Sequence, residues 1–433
     1  MKFNKWTTGL AAVGVVSLAS AARADETMSM VNTALSQTTL SGYVDVAAEY
    51  NAGDGRNSAF LPSGSNMHPD GFSLNAVDVA LDKPEDNSQW ASGYHIEGQF
   101  GADSVGVGNA GEATIRQAFI RLRTPVGNGI DWQFGVFDDI IGYESNTDGA
   151  NPNYTRSYGY AIEPTTLLGI LGTYKICDEV TVSGGIANGA VFSYAPTPQS
   201  VYPGQLTYMG AITLTAPDSM GFMKGATLTA GVVRSLNSAE YGPEVDNYLD
   251  DYIPVSFGAT CNWYVGATIP TPLAALKLGA SFDYVNLSAY DHDTDSHTGL
   301  DIWDVAGYLT YQATDKLSFN LRGEFLDNWN DLGVYTPLPG VSPDPGYGLI
   351  SYNGLTDQLS KNGSYAEELT ATIQYNIWAN VMSRVEFRWD HVDNKAFGSE
   401  YEGEGEDDDY DYDYNYPDKE NSFMLALNLI YTF

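Results

Sequence analysis

The chain has 433 residues, of which 43% are apolar, and 55 acidic against 20 basic side chains give a formal charge of −35 at pH 7. Such an acidic chain repels phosphate, which excludes nucleic acid as a partner. Thirty Tyr and eight Trp are spread along it, a supply that suits the interfacial girdles of a membrane barrel.

Residues 1–24 read as an export signal. Lys2 and Lys5 form the basic start, residues 10–20 the apolar stretch, and Ala22-Arg23-Ala24 a small-x-small cleavage site. Removing Lys2, Lys5 and Arg23 moves the formal charge to −38. Residues 25–36 then form a short periplasmic segment, and 37–433 a single domain. No later run reaches the roughly 18 apolar residues of a membrane-spanning helix. An exported chain of this kind is secreted, periplasmic or an outer-membrane barrel.

Beyond the signal, strand-like runs alternate with two classes of connection. Short ones carry tight turn chemistry, as in Lys83-Pro84-Glu85-Asp86-Asn87, Pro125-Val126-Gly127-Asn128-Gly129, Cys177-Asp178-Glu179, Ala313-Thr314-Asp315-Lys316 and Asn380-Val381-Met382. Long ones, at 51–70, 138–160, 188–204, 238–255, 327–363 and 393–420, are rich in Gly, Pro, Asp and Asn. The two classes take turns along the chain, which is the up-and-down plan of a bacterial barrel with periplasmic turns and external loops. About sixteen strands are predicted, near 38–50, 72–83, 90–100, 113–124, 130–137, 165–176, 180–187, 206–216, 226–236, 256–268, 277–287, 301–312, 317–326, 365–377, 383–392 and 421–433. Fourteen or eighteen stay open.

Individual strands show two faces. In the first, Leu40, Val44, Val46 and Ala48 oppose Ser41, Asp45 and Glu49; in the third, Trp90, Tyr94, Ile96 and Phe100 oppose His95, Glu97 and Gln99. In the fifteenth, Val385, Phe387 and Trp389 oppose Arg384, Glu386, Arg388 and Asp390. An Arg or Lys facing lipid at mid-membrane costs roughly 2–4 kcal/mol, so the charged parity faces inward. A charged inward face implies a wet lumen, because a dry one would leave charges unpaired. The pore-lining candidates are therefore Asp45, Glu49, Asp78, His95, Glu97, Arg121, Arg123, Arg322, Glu324, Arg384, Glu386, Arg388 and Asp390. Together they could set a transverse field and a charge preference, or simply neutralise one another on a solvated wall.

The connection 138–163 is the most distinctive. It joins the acids Asp138, Asp139, Glu144 and Glu163 to a lone Arg156 and a run of small and aromatic residues, 151–160. Long barrel loops are often functional, and this one is expected either to fold inward as a constriction or to lie outside. The loop 402–418 is a different case. Asp409, Asp411, Asp413 and Glu420 superficially resemble a calcium loop, but Tyr414 stands where Gly is required and flanking helices are missing. Weak Ca²⁺ association there, or at Asp291, Asp293 and Asp295, is the only metal chemistry suggested; the bland reading is a solvated loop that repels anions. Cys177 and Cys261 lie strands apart and are expected to stay unpaired. Five His, no Ser elbow and no His-Glu-x-x-His motif give no basis for catalysis.

The last strand, 421–433, alternates most strictly. Phe423, Leu425, Leu427, Leu429, Tyr431 and Phe433 share one parity, with Ser422, Met424, Ala426, Asn428, Ile430 and Thr432 on the other. Lipid is the expected cover for the first set.

The runs Ser41-Gly42-Tyr43-Val44-Asp45, 116–132, Gly142-Tyr143-Glu144-Ser145, 151–166 and 214–221 resemble those of the OmpL-like β-barrel porins. The resemblance covers nearly the whole mature chain and implies an outer-membrane channel, without a site list or a substrate. The expectation is an all-β, single antiparallel transmembrane barrel in the lipid of the bacterial outer membrane. It would pass small hydrophilic solutes and ions by passive diffusion, prefer cations because of its acidic lumen and loops, use no cofactor, and have homotrimer as one assembly open to it. A solute-specific channel and a structural or surface-binding barrel with an occluded lumen are the alternatives.

Overall fold

The computed structural model describes residues 38–52, 70–86, 88–109, 112–188, 206–236, 255–291, 296–328, 364–392, 400–401, 415–416 and 419–433. The signal segment 1–24 and the periplasmic segment 25–36 lie outside them. Sixteen long strands form one sheet. The first eight are β1 (Thr39–Asn51), β2 (Gly71–Lys83), β3 (Ser92–Phe100), β5 (Ala113–Thr124), β6 (Ile130–Asp138), β7 (Thr166–Cys177), β8 (Val180–Asn188) and β9 (Leu206–Thr215). The second eight are β10 (Thr227–Ser235), β11 (Val255–Pro270), β12 (Leu276–Asp291), β13 (Ser296–Gln312), β14 (Leu317–Asn328), β15 (Ser364–Trp378), β16 (Val381–Val392) and β19 (Asn421–Thr432). Three short pieces accompany them: β4 (Val107–Asn109) beside β5, and the hairpin of β17 (Glu400–Tyr401) with β18 (Asn415–Tyr416).

Each long strand pairs antiparallel with its neighbours in sequence, and β19 returns to β1 in a register running from Tyr43↔Thr432 to Asn51↔Met424. Closure leaves no edge, a requirement for a sheet in hydrocarbon, where an unpaired amide has no water to turn to. Among the described residues no helix is long and apolar enough to cross a membrane. Nine residues, the shortest length of a long strand here, are enough for a tilted strand to span a bilayer core.

The alternation seen in the sequence sorts the two faces. On β19, Leu425, Leu427 and Tyr431 point outward and are about half exposed, while Met424, Ala426, Asn428 and Ile430 are buried inward. Outward Ile96, Phe100, Phe387 and Trp263 continue a greasy belt round the barrel, which hydrocarbon must cover. Cys177 and Cys261 are both free thiols.

Of the register shifts among the described strands, two reset the parity of the charged wall. Between Asp45 and Val46 the partner shifts from Ala76 to Leu74, so Asn75 and Ala76 are both buried. Opposite Glu97 and Gly98 the partner shifts from Gln117 to Ile115. Thr114 and Arg116 therefore face inward on even positions, whereas Phe119 and Arg121 do so on odd ones. An extra residue in one strand rotates everything beyond it by one face.

Candidate functional site: the inward segment between β6 and β7

The connection from Asp139 to Thr165 contains a 3₁₀ turn (Asp148–Ala150) and a one-turn helix, α1 (Tyr158–Ile162). Ser157 caps the helix by accepting the amide of Tyr160 at 3.0 Å. Nearly all of residues 151–165 are buried, because the segment lies within the barrel and bonds to its walls.

Its anchors run round the lumen. At the root, Arg116 on β5 donates to both carboxylate oxygens of Asp138, at 2.5 and 3.0 Å, and its Nε donates to Glu97 at 2.8 Å. Ile141 presses on β10, where a Cβ at Gly231 would stand only 2.6 Å from its Cγ2. Together with Phe119, Phe137, Leu167, Leu171, Met209, Val233 and Tyr264 it forms an apolar cluster inside the barrel. The ring of Tyr143 stacks on Tyr308 of β13 with centroids 4.2 Å apart.

The far side is held by charge. β14 stands eight strands on from β6, directly across the barrel. There Arg322 donates to Glu144 at 2.8 Å, to the Thr155 carbonyl at 2.7 Å and to Glu368 at 2.9 Å, and Glu324 accepts the Gly159 amide at 2.9 Å. On β16, Glu386 accepts the amides of Tyr154 and Thr155 at 2.6 and 2.8 Å. Arg384 donates to the Asn151 carbonyl at 2.5 Å, and Arg388 to the Arg156 carbonyl at 2.8 Å. Tyr158 donates to Asp390 at 2.7 Å. Tyr154 reaches β1 and donates to Glu49 at 2.5 Å, while Asn75 of β2 donates to its hydroxyl at 2.9 Å. Within the segment, Arg156 pairs with Asp148 at 2.7 Å.

The structure thus brings together Glu49, Asp138, Glu144, Arg156, Arg322, Glu324, Arg384, Glu386, Arg388 and Asp390, with Glu97 linked through Arg116. Asp45, in the same wall, accepts Asn428 at 2.5 Å and Asn75 at 3.1 Å; Asp78 is buried inward beside Glu97. Arg121 and Arg123 stand apart. They lie towards the periplasmic rim and pair with Asp82 at 2.5 Å and Asp131 at 2.6 Å. His95 is bracketed by Asp82 and Glu97 at 2.9 and 3.1 Å.

Charged wall residues at the level of the segment are not wetted. Arg322, Arg384, Glu386 and Arg388 are each 0–1% exposed. The charge pattern alone suggested water as their partner; the segment's backbone and carboxylates take that place, which is how a buried charge is tolerated. Burial lifts Asp139 and Glu163 well above the ordinary carboxylate range, Asp283 adding to the effect on Glu163.

Arg116, Asn75, Asp283, Asp304 and Glu368 also belong to the site. Asp283, Asp304 and Glu368 follow the inward parity of their strands and were open to the same reasoning. Arg116 was not, since it shares parity with the outward Ile120 and only the bulge turns it inward. The acidic run 402–418 lies outside the described residues except Asn415 and Tyr416, as do Asp293 and Asp295.

A closed sixteen-strand barrel with a greasy outside and a charged inside defines an outer-membrane porin-type channel protein of bacteria. The chain belongs to the family described as "Putative beta-barrel porin-2, OmpL-like", whose model matches residues 37–433. Comparison with curated proteins finds no match. Among solved structures it is similar to the outer membrane channel DcaP of Acinetobacter baumannii (14% identity, TM-score 0.55, covering 92% of this chain and 97% of that one). It is also similar to an anion-selective porin from Comamonas acidovorans (10%, 0.54, 92% and 99%) and to OprB of Pseudomonas putida (12%, 0.53, 94% and 96%). At such identities the likeness is one of fold.

Proposed function

We propose that this porin is a passive channel for small hydrophilic solutes and ions, that it prefers cations, and that the inward segment sets its constriction. The observation carrying the preference is the surplus of carboxylates where segment and wall meet. Asp283, Asp304, Glu324, Glu163 and Asp139 gather near α1, and the cations beside that helix are already paired, Arg322 with Glu144 and Glu368, Arg156 with Asp148 and Arg388 with Asp390. Burial raises the pKa of Asp139 and of Glu163, so the negative charge they lend a pore, which favours cations, grows as pH rises. Nothing in this chemistry calls for a catalyst or a cofactor. The test is the reversal potential across a salt gradient in planar bilayers; a sign showing anion preference at neutral pH would refute the reading.

A second reading has its own support. The segment bonds to β1, β2, β5, β11, β14 and β16, so a resting barrel could be shut. On that reading, deleting 151–158 would raise a near-zero conductance, whereas on the first it would widen an existing one. Trimeric assembly is compatible with both.

A further inference from the structure

His95 stands near the start of β3, towards the periplasmic rim, with 15% of its side chain exposed. Both of its ring nitrogens face carboxylates. Nδ1 lies 2.9 Å from Asp82 Oδ1 on β2, and Nε2 lies 3.1 Å from Glu97 Oε2. Phe119 of β5 stacks on the ring with centroids 5.4 Å apart, and the Arg121 guanidinium sits 5.0 Å from the centre of the same phenyl. The stack fixes the plane of the imidazole between the two acids.

A neutral imidazole has one donor and one acceptor nitrogen, and only the imidazolium donates from both. Each carboxylate here is already held as an acceptor by another donor. Arg121 donates to the same Asp82 oxygen at 2.5 Å. Arg116 donates to Glu97 Oε1 at 2.8 Å, and Gln117 to Oε2 at 2.9 Å. The Gln117 carbonyl accepts the Asp138 amide at 3.4 Å, so its NH₂ group is the end that faces Glu97. An acceptor nitrogen on His95 would therefore oppose a carboxylate lone pair, and the contacts call for a proton on both nitrogens. Around this set stand Asp78 of β2 beside Glu97 and Asp138 behind Arg116, with Arg123, Asp131 and Glu85 nearer the rim. The arginines keep their charge at any working pH; of the cations in this network, His95 is the one that can lose it.

We propose that His95 is a selectivity-determining residue of the channel, an imidazolium in the lumen wall that offsets Asp82 and Glu97 until it gives up its proton. The inference rests on the channel reading and adds to it a residue on the periplasmic side, away from the inward segment. As pH rises the ring turns neutral, one fixed positive charge leaves the wall, and cations gain over anions. The ring, Asp82 and Arg121 all keep some contact with water, so protons reach the site and its charge acts on ions in the lumen. The carboxylates of the segment act in the same direction with pH. The histidine's share is the part that vanishes with the imidazole.

Two measurements on the full-length barrel test this. The first is nitrogen NMR in detergent with isotope-labelled histidine. An ordinary histidine is mostly neutral at pH 7. One of the five in this chain should instead carry protons on both ring nitrogens, and its signal should be missing from His95→Gln and from His95→Arg. The second is the reversal potential across a salt gradient in planar bilayers, which should shift towards cations between pH 6 and pH 9. That shift should shrink in both variants and keep its size in His391→Gln, which alters an exposed histidine bonded to Asn421. At pH 6 the arginine variant should match the parent, and the glutamine variant should prefer cations more. No doubly protonated histidine in the parent at pH 7, or a shift of parental size in both variants, would overturn the proposal and leave the channel reading standing. A barrel that conducts nothing would overturn both. One that prefers anions yet shows the shift, reduced in the variants, would overturn the cation preference alone and support the role of His95.

Discussion

Arg322 is fully buried, and its guanidinium is divided among Glu144, Glu368 and the carbonyl and hydroxyl of Thr155. Its three nitrogens make five hydrogen bonds here, whereas a lysine ammonium has only three donors, all on one atom. Replacing it with alanine strands two buried carboxylates, and breaking a buried pair from one side costs about 3–5 kcal/mol. Arg322→Ala should therefore lower the urea midpoint of the folded barrel markedly, and Arg322→Lys should fall between it and the parent. If both unfold with the parent, the arginine carries no structural load. Gly159 belongs to the same neighbourhood. A Cβ there would stand 3.0 Å from Asp304 Oδ2 and 3.1 Å from Asp283 Oδ2, so any larger residue would have to push the acids packed against α1 aside.

The inward segment is the element on which function turns, and it was only half legible. Its length, its glycines and its mix of acids with one arginine stand out in the sequence. Its destination does not, because its bonds run to residues far along the chain: Tyr154 to Glu386 spans 232 positions, and Gly159 to Glu324 spans 165. The strands are the opposite case. The period of two in 421–433 fixes which side chains meet lipid without any knowledge of partners, since that pattern is local. Where locality fails, as at the bulge beside Glu97, parity reasoning places Arg116 on the wrong face. Docking of the segment should also depend on pH. Glu163 has a raised folded value, so protonation favours the docked state; that contribution is complete at low pH and fades as pH climbs above the ordinary Glu value of 4.5. Trypsin cleavage after the buried Arg156 reports undocking. It should be faster at pH 7 than at pH 5 after correction for the enzyme's own pH response, and Glu163→Gln should flatten the difference. An unchanged ratio in that variant would place the sensitivity elsewhere.

At the scale of the molecule, the inner wall is divided. Charged inward residues crowd β12 to β16 and β1 to β5, where the segment lies against them. Across β7 to β11 the inward positions above the periplasmic rim hold none among the described residues: Thr173 and Ser183 share a hydrogen bond at 3.0 Å, as do Thr213 and Thr229. These hydroxyls are half-buried, in contrast to the dry arginines opposite. On the proposed channel reading, the water-filled path follows these half-buried hydroxyls beside the apolar cluster, and the charged residues act on a passing ion from across it. A charge added on the neutral side faces water and replaces no partner, so its effect on stability should stay within about 0.5 kcal/mol, while its effect on the ion is strengthened by the low-dielectric walls around the path. Ser183→Asp should raise cation preference, and Ser183→Lys should reduce or reverse it, both read from reversal potentials with the unfolding midpoint unchanged. A loss of stability in both without any change of selectivity would mean that Ser183 faces packed protein, and that the ion path runs elsewhere.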